Sequence, residues 1–234
     1  MKNIPLLVGT IVGSLLLVGA LAFFFSGPSA TQPTASGIDM TALTQDARNV
    51  KGGNNTGASA TASAQATSSA VTQPVVTIVE FSDFQCPACR SAQPAVTQVM
   101  QKYGSQVKLV FKHFPLDSIH PNARLAAQAS EVAATQGQFW MYHDLLFVKQ
   151  PEWEKIADKT KLLEYFGQLA GQLGLDVNQF VAAIEKPEIA ALVQADSALG
   201  DSIKIQATPT FLVNGQAVSA PQLLTTVEQL VVAQ

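Results

Sequence analysis

The sequence predicts an α/β fold built on a crossover connection, and three observations carry that reading. An apolar, β-branched run at Val75–Phe81 is followed directly by a helical pattern and then by a second strand-like run, "VKLVF" at Val107–Phe111. The order strand, helix, strand requires two parallel strands joined by a crossover. Residues Asn122 to Lys204 read as helical throughout, and strand character returns only at "TFLVNGQAV" near the end of the chain. A strand-helix-strand half and a hairpin-helix half therefore enclose a helical block.

The elements follow in order. Residues 1–25 include an uncharged run from Ile4 to Phe25. About 20 such residues span a hydrocarbon layer of ~30 Å. Lys2 and the amino terminus precede the run and no basic cluster follows it, which favours amino terminus inside and carboxyl terminus outside. A single-pass anchor in the cell membrane is expected, rather than a cleaved leader, because "FFFSGPSA" makes a poor cleavage site. Residues 26–73 are rich in Gly, Ala, Ser, Thr and Asn without hydrophobic period, and are expected as a flexible tether, with a short helix within Met40–Val50.

The folded domain is expected over residues 74–234. Its first strand is apolar on both faces, as in a sheet covered on both sides. The next helix carries Val96, Val99 and Tyr103 at helical spacing and stops at Gly104. In the block at about 117–204, Asn122 is placed as a helix cap, Leu162, Phe166, Leu169 and Leu173 form one stripe ending at Gly174, Asp176 with Gln179 forms a capping-box variant, and Pro187 starts another helix. Asn214-Gly215 between Phe211–Val213 and Gln216–Val218 is the hairpin signal, and Pro221–Val232 closes the chain as a helix.

The formal net charge is −3 with scattered basic residues, which excludes the basic stripe a nucleic-acid partner requires. The chain has two cysteines, Cys86 and Cys89, spaced as CPAC. Three readings compete for them. A zinc site needs four ligands, and His113, His120 and His143 show no zinc-finger spacing, so no metal is expected. A static disulfide would close a loop of a few residues and restrict the unfolded chain little. A redox pair fits the local physics. Cys86 stands at a helix start with Pro87 at the first helical position, where free N–H groups and the helix dipole stabilise a thiolate. Cys89 lies one turn deeper on the same side, placed to resolve a mixed disulfide.

With "VEFSDFQCPAC", the helical block and "ATPTFLVNG", the sequence resembles the DsbA-like thiol–disulfide oxidoreductases of the thioredoxin superfamily, in their membrane-tethered branch. The resemblance runs from about Pro74 to the end of the chain. It implies a thioredoxin fold with an inserted helical domain. It makes Cys86 the attacking cysteine, Cys89 the resolving one, and Thr208-Pro209 a cis-proline loop against the pair that binds substrate together with Pro87 and Ala88. Glu80 matches a buried acid that relays a proton to or from Cys89. Ala88 departs from the histidine of strongly oxidising members, which implies a less stable thiolate and a less oxidising couple. The expected function is extracytoplasmic introduction of disulfides into secreted or envelope proteins. No cofactor is implied, a membrane redox partner reoxidises the pair, and the chain is a monomer. A reductase or isomerase using the same pair, and a peptide-binding module, are the alternatives.

Overall fold

A computed structural model describes residues 38–53 and 76–233. The chain forms α1 (Met40–Thr44), β1 (Val50–Gly52), β2 (Val76–Ser82), α2 (Pro87–Tyr103) and β3 (Val107–His113). The helical block follows as α3 (Ala123–Thr135), α4 (Phe139–Val148), α5 (Gln150–Trp153), α6 (Lys159–Gln172), α7 (Val177–Ile184) and α8 (Pro187–Ser202). The second half is β4 (Thr210–Val213), β5 (Gln216–Val218), a 3₁₀ turn at Ala220–Gln222 and α9 (Leu223–Val232).

The strands lie in the order β1-β3-β2-β4-β5. β2 and β3 are parallel, joined by α2, and the other pairings are antiparallel. Asn214 and Gly215 both have positive φ, as a tight hairpin turn demands, and the side-chain oxygen of Asn214 also accepts from the Thr77 amide at 2.8 Å. β2 is central and almost wholly buried, which accounts for its unbroken apolar sequence.

Each face of the sheet is covered. On one, Val96, Val99 and Tyr103 of α2 and Leu223 and Val227 of α9 pack on Val76, Ile78, Leu109 and Phe211. On the other, Val79, Phe81, Val110 and Leu212 meet Leu43, Phe114 and Leu199. There α8 comes so close that a Cβ on Gly200 would lie 2.6 Å from the Phe114 ring. The helical block has its own core around Tyr142, Trp153, Phe166 and Phe180, continuous with Phe84 and Phe111 beside the sheet. Each such side chain stabilises by about 1.5–3 kcal/mol on burial.

Several sequence expectations are sharpened or corrected. The capping role of Asp176 holds, with its carboxylate accepting from the Gln179 amide at 2.9 Å. Asn122 stands at the start of α3 but its side chain makes no cap bond. Its amide instead donates to the carbonyls of Trp153, Glu154 and Ile156, fastening α3 to the turn after α5. Within the stretch expected to be a flexible tether, residues 38–53 fold onto the domain: β1 pairs with β3, and Leu43 is fully buried. The anchor expected at residues 1–25 lies outside the described residues. Among the described residues no helix is long and apolar enough to cross a membrane.

Candidate active site

The end of β2 and the start of α2 build the centre of the site. Cys86 is the N-cap of α2, with extended backbone and Pro87 behind it at the first helical position. Both cysteines are free thiols. Pro87 and Ala88 are exposed, forming a lip over the pair, while Cys86 is 6% exposed and Cys89 is sealed. The Thr208-Pro209 peptide is cis and carries the Thr208 carbonyl to 3.4 Å from Cys86 Sγ. The residues named from the sequence at these two distant places are therefore brought together.

The two thiols differ strongly. The Cys89 thiol hydrogen-bonds the Cys86 sulfur and lowers its pKa; burial opposes this, and Thr208 and the backbone N–H groups of Cys89 and Ala88 add to the lowering, which leaves Cys86 at about 5. The two backbone donors are those the helix start provides. Burial pushes the Cys89 thiol far up, and its neighbour Cys86 pushes it further. Cys86 is thus the thiol that ionises at neutral pH, with a small part of its surface at the rim of the site, and Cys89 a protonated, enclosed thiol.

Glu80 sits on β2, 1% exposed. Burial raises its carboxyl to about 7, with weaker opposing effects from Ser82 and Gln93. The Gln93 amide is 3.4 Å from Glu80 Oε1 and also 3.4 Å from the Cys89 carbonyl, so one α2 side chain links the acid to the turn that carries Cys89. Glu80 Oε2 has no partner among the described residues. The Ser82 hydroxyl lowers both Glu80 and Cys89, so it neighbours both groups. Glu80 and Cys89 thus share Gln93 and Ser82 as neighbours, and a carboxyl raised to about 7 has the pKa that general acid–base chemistry at neutral pH requires.

A set of side chains not singled out from the sequence holds this arrangement. Asp83, 2% exposed, accepts from the Gln85 and Leu116 amides and pairs with His120 Nδ1 at 2.7 Å, while its own N–H points to Cys89 Sγ at 3.5 Å. Gln150 of α5, fully buried, donates to the Phe84 carbonyl at 2.7 Å and the Cys86 carbonyl at 3.0 Å. Gln85 reaches the other way, donating to the Glu154 carbonyl and accepting from the Asn122 amide. The loop Phe84–Cys86 is thus clamped from the helical block. "SDFQC" contains two of these residues, but only the distant Gln150 and Asn122 give them their purpose.

Among the described residues one group of three, His113, Glu131 and Asp196, has the spacing of metal ligands. Its acceptors are already engaged: Glu131 by His113 and Asn49, and Asp196 by Lys112 and Arg48. Two cations fill the place a metal would take, and neither cysteine belongs to the group.

A family model described as thioredoxin matches residues 72–233. Among curated proteins, the Na(+)/H(+) antiporter NhaA 3 of Salinispora tropica is 40% identical over 146 residues, 62% of this chain and 21% of that protein. NhaA of Herminiimonas arsenicoxydans is 35% identical over 141 residues, 60% of this chain and 21% of that protein. The chain thus spans about a fifth of the length of these relatives. Among solved structures, oxidised BdbD from Bacillus subtilis superposes with a TM-score of 0.61 at 26% identity, covering 77% of this chain and 91% of that one. A thioredoxin-like oxidoreductase from Silicibacter pomeroyi gives 0.53 at 28% identity, over 66% and 85%. MdbA, a thiol–disulfide oxidoreductase from Corynebacterium diphtheriae, shares the fold at 22% identity with a TM-score of 0.54, over 66% and 82%.

Proposed function

We propose that this chain, which belongs to the thioredoxin family and is a DsbA-like thiol–disulfide oxidoreductase, works as an oxidase, introducing disulfides into secreted or envelope proteins outside the cell membrane. The observation that carries the direction is the seat of Cys86 at the N-terminus of α2, where the Cys89 thiol and the Cys89 and Ala88 N–H groups lower its pKa. A stabilised thiolate stabilises the reduced pair, and a couple whose reduced form is favoured is a stronger oxidant. Ala88 removes one source of that stabilisation, but Cys89, Thr208 and the helix N–H groups supply others.

In the oxidised protein, a substrate thiolate attacks Cys86 Sγ, forming a mixed disulfide and breaking the Cys86–Cys89 bond. Cys89 leaves as a thiolate and takes the proton held by Glu80. A second substrate thiolate then attacks the substrate sulfur and expels Cys86 as a thiolate, a good leaving group near pH 7. The substrate dithiol loses two electrons and the cysteine pair gains them. The pair is reset by the reverse sequence on the disulfide of a membrane partner: Cys86 attacks, Cys89 passes its proton to Glu80, and Cys89 displaces the partner. The Thr208 backbone beside Cys86 suits an extended substrate segment that pairs as an added strand. The uncharged run Ile4–Phe25 supports tethering at the membrane, which raises the effective concentration for the partner.

The test is the reduction potential of the pair in the whole protein, equilibrated against glutathione. A value of about −120 to −180 mV is expected of an oxidase. A value near about −270 mV would overturn this direction in favour of a reductase, the reading that Ala88 alone favours. Exchange activity should vanish in Cys86→Ser; a peptide-binding module would keep its function.

A further inference from the structure

The Cys89 sulfur carries a negative charge twice in each cycle. It is the leaving group when a substrate attacks Cys86, and the nucleophile when the pair closes again. Cys89 is 0% exposed, so no solvent shell meets that charge. An anion taken out of water is costly unless fixed donors replace the water it has lost. One such donor is set by the backbone: the Asp83 N–H points at Cys89 Sγ at 3.5 Å. The chain around it is held by its neighbours. The Ser82 carbonyl accepts from the Phe114 N–H at 2.8 Å, the Asp83 carbonyl accepts from the Cys86 N–H at 3.1 Å, and the Asp83 carboxylate accepts from the Gln85 and Leu116 amides. This donor is in place before the sulfur ionises.

A second donor stands next to it. Ser82 ends β2, and side chains alternate along a strand, so Ser82 shares a face with Val76, Ile78 and Glu80. Val76 and Ile78 pack against Ala92, Val96 and Val99 of α2. Cys89 lies on that same buried side of α2, one turn before Ala92. The Ser82 hydroxyl is thus on the face of the sheet that the resolving cysteine looks onto. Its oxygen is closed to water and has no partner among the described residues. A buried hydroxyl left unbonded is a cost to the resting protein. Burial raises the Cys89 thiol most and Cys86 adds to it; the groups that oppose them are the Ser82 hydroxyl and then the Asp83 N–H.

We infer that Ser82 is a catalytic residue of the exchange reaction: its hydroxyl joins the Asp83 N–H in a two-donor seat for the Cys89 thiolate. The inference rests on the reading of Cys86 and Cys89 as an exchanging pair. As the substrate thiolate bonds to Cys86 Sγ, the Cys86–Cys89 bond breaks and its electron pair moves onto Cys89 Sγ. The Ser82 O–H turns towards that sulfur, donates to it and keeps its own proton. The Asp83 N–H donates without moving. A better stabilised thiolate is a better leaving group. Once Cys89 takes up a proton, the hydroxyl returns to its unbonded state.

When the pair closes, the same two donors meet the Cys89 thiolate as it forms. The seat is filled while charge sits on the sulfur and empty in both resting forms, the disulfide and the protonated thiol. It therefore lowers the barrier in both directions and leaves the equilibrium between the two forms where it was. That combination separates a donor acting on the transition state from a side chain that merely keeps the redox loop in shape.

The experiment mixes the oxidised whole protein rapidly with glutathione, stops the reaction with acid, and counts by mass the mixed disulfide formed on Cys86. Ser82→Ala is expected to slow opening of the pair about tenfold, as loss of one hydrogen bond to a charged group does. The equilibrium constant against glutathione should change by less than about twofold, and the pH profile of Cys86 alkylation should stay in place. Ser82→Thr and Ser82→Val have one shape and differ in the hydroxyl. Ser82→Thr should stay within about threefold of the wild-type rate, and Ser82→Val should be as slow as Ser82→Ala. Equal rates in that matched pair, or a wild-type rate in Ser82→Ala, would overturn the seat. Ser82 also lowers the Glu80 carboxyl, so Ser82→Ala is repeated in a Glu80→Gln background. Slowing that persists there is exerted on the sulfur; slowing that disappears there acts through the acid and overturns the seat. Wild-type protein that forms no mixed disulfide sinks the exchange reading and the seat together, whereas normal exchange untouched by Ser82→Ala sinks the seat alone.

Discussion

Two glutamates lie equally deep in this molecule, Glu80 on β2 and Glu131 on α3, each 1% exposed. Burial pushes both carboxyls upward. Glu80 has only the weaker effects of Ser82 and Gln93 to set against it and rises to about 7. Glu131 receives His113 at 2.9 Å, Asn49 at 2.7 Å and Arg48 at 3.5 Å, which more than reverse the effect of burial and hold it at about 2. Depth alone therefore does not decide the charge of a buried acid; the donors around it do. The satisfied acid ties three separated segments together, and the unsatisfied one keeps a buried oxygen without a partner among the described residues.

The most severe way to break the contrast is Glu131→Gln. It leaves the Arg48 and His113 donors against an amide and is expected to cost about 3–5 kcal/mol in denaturant unfolding at neutral pH. Glu80→Gln should act in the opposite direction. The carboxyl goes from 4.5 to about 7 on folding, so the native state binds the extra proton. Its ionisation penalty is absent below about 4.5 and grows as pH rises to about 7, reaching about 3 kcal/mol. At pH 8 the glutamine variant should therefore be the more stable protein by up to about 3 kcal/mol, and the gain should vanish at pH 4. Glu131 has the reverse window: its contribution is full above about 4.5 and is lost as pH falls towards about 2. A smaller effect should come from Asp83→Asn. Its carboxylate accepts from two amides and His120, and the amide can replace only part of this, at about 1–3 kcal/mol. Unfolding curves of the three variants across pH would show whether these acids behave as three distinct cases.

The same contrast explains what the sequence made legible. Glu80 could be read as buried because Val79 and Phe81 flank it in an apolar strand. The cysteine pair, the Thr208-Pro209 loop, the Asn214-Gly215 turn and the Asp176 cap are local patterns whose chemistry lies within a few residues. Glu131 offered no such signal, since its partners come from Asn49 and His113, on either side of the first crossover. Gln150 reads as an ordinary helix residue until α5 is packed against the redox loop. Asn122 does stand at the N-cap position, but a capping residue next to a helical pattern looks alike whether its side chain caps or braces. β1 was invisible for a different reason. Three residues have no strand period, and Val50–Gly52 is extended only because the edge of β3 and the Trp140 indole, 3.1 Å from the Val50 carbonyl, offer it partners.

That short strand changes what counts as the enzyme. Residues 38–53 cover the outer edge of β3, fill a hydrophobic socket with Leu43, and deliver Arg48 and Asn49 to Glu131. They behave as a built-in ligand of the catalytic half. A protease cut between residues 53 and 76 would convert them into a separate peptide, and the protein into a two-part complex whose stability depends on concentration. The same peptide, added back to a chain beginning at residue 74, would then act as a complementing fragment.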